Sequence, residues 1–395
     1  MRRSGKAMTF SSTIFSAFRL PITVSRRFFS SSQPSPTTPA TSSPPNTKHD
    51  SLLAYALDRV RQGGTPHGAN LVAYSGGVDS SLVAALVKRA FPTNSLACIG
   101  LSASLPSAQL SLAREIAAYI DIPLKEVTTA EGDTPEYVAN RGLSCFHCKT
   151  HLYTALQAVA AEAQNYHEEV HHAKTNISLA TETGANAQGG GNKPSFVVTL
   201  FNGTNADDRQ DPTRVGLKAA RNFRVRSPID HLNKNEVRKL AQALGLPNWQ
   251  HAASPCLRSR LALGVPAVEE HLRKVEAAEE LVRATLGQGG REGGAAGLLG
   301  VHHNVRVRLL SEGKAVIEVD AELLESAASF FLAMEGRMKA ELGFADVTLR
   351  AFKSGSVNGL GGTTRIRNKG HGGEEVEQVS ASFASSSCHR NCAEK

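Results

Sequence analysis

The sequence predicts an α/β chain in which a parallel sheet covered by helices is followed by a smaller α+β domain. Three observations carry that expectation. Short apolar runs alternate with helical patterns up to Gly245, and strands that alternate with helices build parallel sheets. The apolar run at 71–74 passes through Ser75-Gly76-Gly77 into Leu82, Val83, Leu86 and Val87 at helical spacing. The composition then changes around Gly264-Val265-Pro266, and the elements beyond it fit a small α+β domain.

Taken in order, Leu52, Leu53, Ala56, Leu57 and Val60 mark an amphipathic helix ended by Gly63-Gly64. After the strand at 71–74 and its helix, a second strand is expected at 96–101, a helix at 107–120 behind Pro106, and a third strand at 123–128. A helix from Lys149 to about Ala163 follows, then a polar insertion at 164–195, a fourth strand at 196–201, and a helix capped by Asn233 with Glu236 three residues on. Downstream lie a helix at 267–286, a Gly-rich loop at 287–300, strands at 304–310 and 315–320, a helix at 321–342 and a strand at 347–352. The domains are therefore expected at 51–264 and 265–352, between a leader and linker at 1–50 and a disordered tail at 353–395.

Of the formal net charge of +8, residues 1–50 carry +6 and residues 353–395 carry +2, so the body between them is neutral. A basic groove for nucleic acid is not expected, and no apolar run is long enough to cross a bilayer. The first fifty residues are rich in Arg, Ser and Phe with no acid before Asp50, as in organelle transit peptides. Ser25-Arg26-Arg27-Phe28-Phe29-Ser30 resembles a mitochondrial processing site, with a plastid address as the alternative. A homo-oligomer is compatible with the chain.

The strand–Gly-Gly–helix passage builds a nest of backbone N–H groups at a helix N-terminus, where an anion is favoured. Ser75, Ser80 and Ser81 offer hydroxyls to it, while Gly76 and Gly77 allow close approach. No lysine follows the glycines, so this is not a Walker-type phosphate loop. A tight turn with Asp79 or Ser80 as an ordinary N-cap is the plainer alternative.

Gly203-Thr204-Asn205-Ala206-Asp207-Asp208 follows a strand, on the same rim. Asp207 or Asp208 suits Mg²⁺ against ATP oxygens, Thr204 and Asn205 suit hydrogen bonds to a nucleotide, and an Asx-turn would explain the same residues. In Ser254-Pro255-Cys256-Leu257-Arg258-Ser259-Arg260, the proline puts Cys256 on a loop and the two arginines favour a thiolate. Cys145-Phe146-His147-Cys148 alone reads as a redox pair, half a zinc site or chance; His147 reads as a helix-start residue. With Cys256 there are three thiolates, enough for a [4Fe–4S] cluster with one open iron, or for zinc. Arg306 and Arg308 alternate along a strand, either to bind a phosphate or carboxylate or to pair with Glu318 and Asp320 across the sheet.

Ser75-Gly76-Gly77-Val78-Asp79-Ser80 resembles the signature of the pyrophosphate-loop ATPases, which split ATP between the α and β phosphates. The 144–153 stretch, 203–208, 224–228, Asn248-Trp249 through Arg260, and Val305-Arg306-Val307-Arg308 extend this into a resemblance to the LarE family over about residues 51–350. These are ATP-dependent sulfur-insertion enzymes of nickel-pincer nucleotide biosynthesis. The resemblance implies a pyrophosphate-loop (adenine nucleotide alpha hydrolase-like) domain. It places ATP and Mg²⁺ on Ser75, Gly76, Gly77, Asp79, Ser80, Gly203, Thr204, Asn205 and Asp207. It also implies a small-molecule nucleotide substrate held by Arg260, Arg306 and Arg308, and Cys256 as sulfur donor or, with Cys145 and Cys148, as cluster ligand to which a sulfide donor delivers. Arg258 stands where the family has a small residue, and Val215 where a proline is common. A tRNA thiolase, an amidating ligase and a non-catalytic nucleotide sensor are the alternatives.

Overall fold

The computed structural model describes residues 47–181, 196–211, 214–288 and 299–353. The leader up to residue 46, most of the Gly-rich loop, the end of the 164–195 insertion, and the tail with Cys388 and Cys392 lie outside them. The chain divides into two compact units between Ser254 and Pro255, upstream of the composition change at Gly264.

In the first unit, helix α1 (Thr47–Gly63) leads to β1 (Ala69–Ala73), α2 (Val78–Ala90), β2 (Ser95–Leu101), α3 (Ser107–Ile120) and β3 (Leu124–Thr128). A short α4 (Pro135–Val138), the long α5 (Ser144–Thr181), β4 (Val198–Phe201), α6 (Ala206–Gln210), α7 (Gly216–Asn222) and α8 (Lys234–Ala243) complete it. The four strands are all parallel, in the order β3-β2-β1-β4. Every residue of β1 is buried, which is why it reads as a continuous apolar run rather than an alternating one. Ala56, Val72, Leu82, Leu86, Ile99 and Leu240 belong to one core cluster, while Leu71, Cys98, Tyr153 and Leu156 belong to another. Burial pushes the Cys98 thiol up to about 12, so it behaves as a small apolar side chain.

Helix α5 departs from the expected pattern. It begins at Ser144, not Lys149, so both cysteines lie in its first turns, and it runs into the stretch expected as an insertion. Ser144 is fully buried and its hydroxyl donates to the Tyr137 carbonyl at 3.0 Å, which anchors the start. No Gly or Pro interrupts 144–181, and polar composition alone does not end a helix.

The second unit carries α9 (Glu269–Gln288), β5 (Val305–Leu309), β6 (Lys314–Val319), α10 (Leu324–Ser329), α11 (Phe331–Leu342) and β7 (Asp346–Ala351). Its sheet has the order β5-β6-β7, the first pair antiparallel and the second parallel. The helix expected at 321–342 is broken, because Phe330 leaves the helical conformation between α10 and α11. Residues 255–264 belong here: Leu261 bridges Leu309, and Arg260 is held by α9.

Candidate functional site

The chain leaves β1 toward β2 and β3 on one side, and β4 lies on the other. The order therefore reverses between β1 and β4. In parallel sheets ligands bind beyond the carboxyl ends of the strands at such a reversal. The loops that emerge there are the two expected to hold a nucleotide: 75–80 after β1 and 203–208 after β4.

They touch. A Cβ on Gly203 would lie 2.7 Å from the Ser80 backbone nitrogen, so only glycine lets the strands' exits close on each other. Asn205 Nδ2 donates to Asp79 Oδ1 at 3.0 Å. Asn205 also caps α6, its side chain accepting from the Asp208 N–H while its own N–H donates to the Asp208 carboxylate. The Asx-type role is thus present together with the contact to the glycine loop. Burial pushes the Asp208 carboxyl above its ordinary range, and Arg214, bound to Asp208 Oδ1 at 2.9 Å, is the main opposing influence. Asp207 Oδ2 accepts the Lys234 N–H at 2.9 Å, and the Thr204 N–H donates to Asn202 Oδ1 at 3.2 Å.

The glycine loop is braced from behind. The Ser80 hydroxyl donates to the Gly77 carbonyl, and its oxygen lies 3.2 Å from the Ser75 nitrogen, which donates to it, and 3.0 Å from Ser75 Oγ. Gln109 Nε2 donates to the Ser75 carbonyl at 2.7 Å, and the fully buried Asn248 donates to the Gly76 carbonyl at 2.9 Å. The N-cap of α2 is Gly77, without a side-chain acceptor, so no side chain of this cap takes up the first-turn N–H groups that have no intrahelical partner. An anion of the right size meets those N–H groups and the positive end of the helix dipole. Asp79 and Ser80 are not N-caps. Gln109 and Lys234 escaped sequence reasoning altogether, and Asn248 entered it only within the stretch that carries the family resemblance. They lie far along the chain from the loop, and each looks like an ordinary helix or turn residue.

Cys145 and Cys148 are half-buried and free of disulfide. One turn apart in α5, they share a helix face. A Cβ on Gly216, at the start of α7, would lie 3.4 Å from the Cys145 carbonyl, and Asn202 at the end of β4 donates to Tyr153 Oη of α5 at 3.3 Å. The cysteine helix is thus tied to the same strand exit as the 203–208 loop.

In the second unit, Cys256 is half-buried just before the single 3₁₀ turn Leu257–Arg260. Its carbonyl accepts from Ser259 Oγ at 2.7 Å and from Arg260 Nη1 at 3.2 Å. Arg260 is buried; its Nε and Nη2 bind Glu279 at 2.7 and 3.1 Å, and Nη1 also donates to the Pro255 carbonyl. Glu279 in turn accepts the Val307 N–H at 3.1 Å. Arg308 binds Glu318 at 2.8 Å and the Ser259 carbonyl at 2.6 Å. Arg350 shares Glu318, whereas Asp320 accepts from Asn304. Cross-strand pairing is therefore realised for Arg308. Burial, then the neighbouring Arg260, lowers the Arg306 guanidinium to about 10. Glu279 and Glu318 thus lie among Arg260, Arg283, Arg306, Arg308 and Arg350.

Removing one partner of a buried ion pair strands the other charge. Glu279→Gln is expected to lower the stability of this unit by about 3–5 kcal/mol, read as a lower midpoint in urea unfolding, with a conservative Glu279→Asp losing less.

Among the described residues, one group of three His, Cys, Asp or Glu side chains brings its ligand atoms within 4.8 Å: His302, His303 and Glu322. His303 Nδ1 accepts the Gly300 N–H at 2.8 Å, which leaves the ring proton on Nε2, 2.8 Å from Glu322. His303 and Glu322 thus form a histidine–carboxylate hydrogen bond, with the His302 ring beside it at a centroid distance of 4.0 Å.

Comparison with known proteins agrees with this geometry. The asparagine synthase family model matches residues 48–141. The chain is 34% identical over 235 residues to the uncharacterized protein slr1717 of Synechocystis sp., covering 59% of this chain and 75% of that protein. It is 27% identical over 300 residues to the pyridinium-3,5-bisthiocarboxylic acid mononucleotide synthase of Lactiplantibacillus plantarum, covering 73% of this chain and 88% of that protein. With the glycine loop at the sheet's reversal, and with the first of these relatives covered over 75% and the second over 88% of its length, the chain belongs to the LarE family of pyrophosphate-loop ATPases.

Proposed function

We propose that the protein adenylates a carboxylate of pyridinium-3,5-biscarboxylic acid mononucleotide and replaces AMP with sulfur. The observation that carries this reading is the closure of the 203–208 loop on the 75–80 loop at the point where the strand order reverses. There the α2 N-terminus and Asp79 receive ATP with Mg²⁺. The substrate carboxylate oxygen attacks the α-phosphorus, the bond to the β-phosphate oxygen breaks, and pyrophosphate leaves. The resulting acyl-adenylate has the leaving group that a free carboxylate lacks. A sulfur nucleophile then attacks the acyl carbon and AMP departs, leaving a thiocarboxylate. The substrate's phosphate is assigned to the arginines of the second unit, Arg260, Arg306 and Arg308, whose guanidiniums suit a phosphate.

For the sulfur source the thiols offer two routes. Cys145 and Cys148, half-buried and one helical turn apart without a disulfide, are a donor pair that suits a [4Fe–4S] cluster, with Cys256 as the third ligand. Such a cluster, when bound, would supply sulfide-level sulfur as the nucleophile. The protein's part would be to supply the thiols, Cys145 and Cys148 from α5 and Cys256 from the turn before Leu257. In the alternative, Cys256 itself gives up its sulfur: its Cβ–S bond breaks, its Cα proton is lost, and dehydroalanine remains.

The test is turnover by anaerobically purified full-length protein with ATP and the dicarboxylated pyridinium mononucleotide, followed by intact mass. AMP, pyrophosphate and thiocarboxylate with unchanged protein mass support the cluster. Loss of the elements of H₂S from Cys256 establishes sacrifice instead. Absence of AMP formation with this acid removes it as substrate.

A further inference from the structure

Two arginines, one in each unit, hold the backbone on either side of the boundary between Ser254 and Pro255. In the first unit Arg238 of α8 donates from Nη1 to the Trp249 carbonyl at 2.7 Å and from Nη2 to the His251 carbonyl at 2.9 Å. In the second, Arg260 Nη1 donates to the carbonyls of Pro255 and Cys256. Ala252, Ala253 and Ser254 stand between the two clamps. We infer that Arg238 is a positioning residue for sulfur transfer: it holds the backbone that leads to Cys256, so that the thiol reaches the acyl-adenylate ahead of water. This rests on the reading of Cys256 as sulfur donor or cluster ligand, and it holds for either route.

Three features carry the inference. The first is the platform. Asn233 and Glu236 close the capping box at the start of α8, and Val237, Leu240 and Ala241 share one core cluster with Leu82 and Leu86 of α2. The clamp is therefore fixed to the same core as the helix whose N-terminus faces the nucleotide. The second is the fork. A guanidinium presents its N–H groups in one rigid plane, and Arg238 spends two of them on carbonyls two residues apart in a segment outside helix and strand. Burial, then the neighbouring Arg238, holds the His251 ring below the usual imidazole range, so at neutral pH no second cation forms beside the guanidinium.

The third is the place of the clamp in the chain. Asn248 donates to the Gly76 carbonyl and to Ser81 Oγ at 2.9 and 3.0 Å, and Trp249 packs on the core. Arg238 carries that fastening on to His251, after which Ala253, Ser254 and Pro255 are exposed. A fully extended chain from His251 to Cys256 spans at most about 18 Å, and from Trp249 about 25 Å. The clamp thus narrows the volume open to the thiol. Orientation counts for still more, since a displacement of about 1 Å can cost a reaction about a hundredfold. An acyl-adenylate left waiting is attacked by water at its acyl carbon, AMP departs, and the carboxylate returns without sulfur.

The experiment compares full-length wild type, Arg238→Ala and Arg238→Lys, purified anaerobically and supplied with ATP and the dicarboxylated pyridinium mononucleotide. AMP and thiocarboxylate are measured in the same reaction, and circular dichroism melts verify that each variant is folded. In Arg238→Ala the thiocarboxylate formed per AMP is expected to fall about tenfold, while ATP–pyrophosphate exchange stays within about twofold. Arg238→Lys keeps the charge but loses the fork, and is expected to lie between the two. Limited digestion with proteinase K, read by mass, gives a measure that needs no turnover: cleavage between residues 249 and 255 is expected to be several-fold faster in Arg238→Ala. An unchanged ratio of thiocarboxylate to AMP overturns the inference. Equal loss of exchange and transfer also does, because Arg238 would then only support α8, and so does unchanged cleavage, because the segment would then not be held by it. A wild type that releases AMP but forms no thiocarboxylate overturns the sulfur-transfer reading itself, and the role of Arg238 with it.

Discussion

Cys256→Ala is expected to abolish thiocarboxylate formation while AMP and pyrophosphate release continue. The separation is sharp because the residue's backbone and side chain have different jobs. The Cys256 carbonyl is held by Ser259 Oγ and Arg260 Nη1, contacts that alanine keeps. Its φ and ψ of −60° and 155° are open to any L residue, so the turn that follows is expected to form as before. Only the thiol is lost. Pyrophosphate exchange measured beside product sulfur by mass spectrometry checks this, and undiminished sulfur transfer would remove Cys256 from the mechanism. The contrast with Glu279→Gln is informative, since that variant disturbs the brace of the same turn and is expected to show itself in unfolding.

Gly76→Ala is expected to suppress adenylation to background. Gly76 has φ +71°, where an L side chain costs about 1–3 kcal/mol of backbone strain. The new Cβ would lie 2.7 Å from the Ala113 Cα of α3 and 3.0 Å from Gln109 Nε2. The side-chain amide has room to move, but a helix backbone does not. The loop must therefore shift, turning the α2 N–H groups away from their anion. Loss of ATP–pyrophosphate exchange with a modest fall in melting temperature is the predicted pattern. Full exchange activity would mean that the loop does not bind the triphosphate.

Much of the first unit was legible. The four strands and the helix at 107–120 stand close to where periodicity puts them, because a sheet buried on both faces forces continuous apolar runs and leaves turn residues between. The Asn233–Glu236 capping box is formed as expected, since capping is a local matter of four residues. The start of α5 was not legible. It depends on Ser144 finding the Tyr137 carbonyl, a contact between elements, and its extension was hidden by a polar composition that helices tolerate. The alternation of Arg306 and Arg308 was plain, but whether they face solvent or glutamates depends on strand register: Arg306 stands opposite Glu318 on β6, Arg308 opposite Val316, and Arg308 reaches Glu318 on the diagonal.

What the sequence alone determined is the chemistry on offer: a glycine-rich helix start, a second loop rich in Asx residues, three well-placed cysteines and a neutral body, each written in short stretches whose local geometry is self-sufficient. Tertiary structure decided which of them meet. It set the two loops side by side by placing β4 next to β1. It brought Lys234 of α8 onto Asp79 of the glycine loop, and it turned the second unit's arginines inward onto Glu279 and Glu318. Those outcomes depend on pairing between residues far apart in the chain, where burial makes an unmatched charge costly and a matched one directional, and no local pattern carries that information.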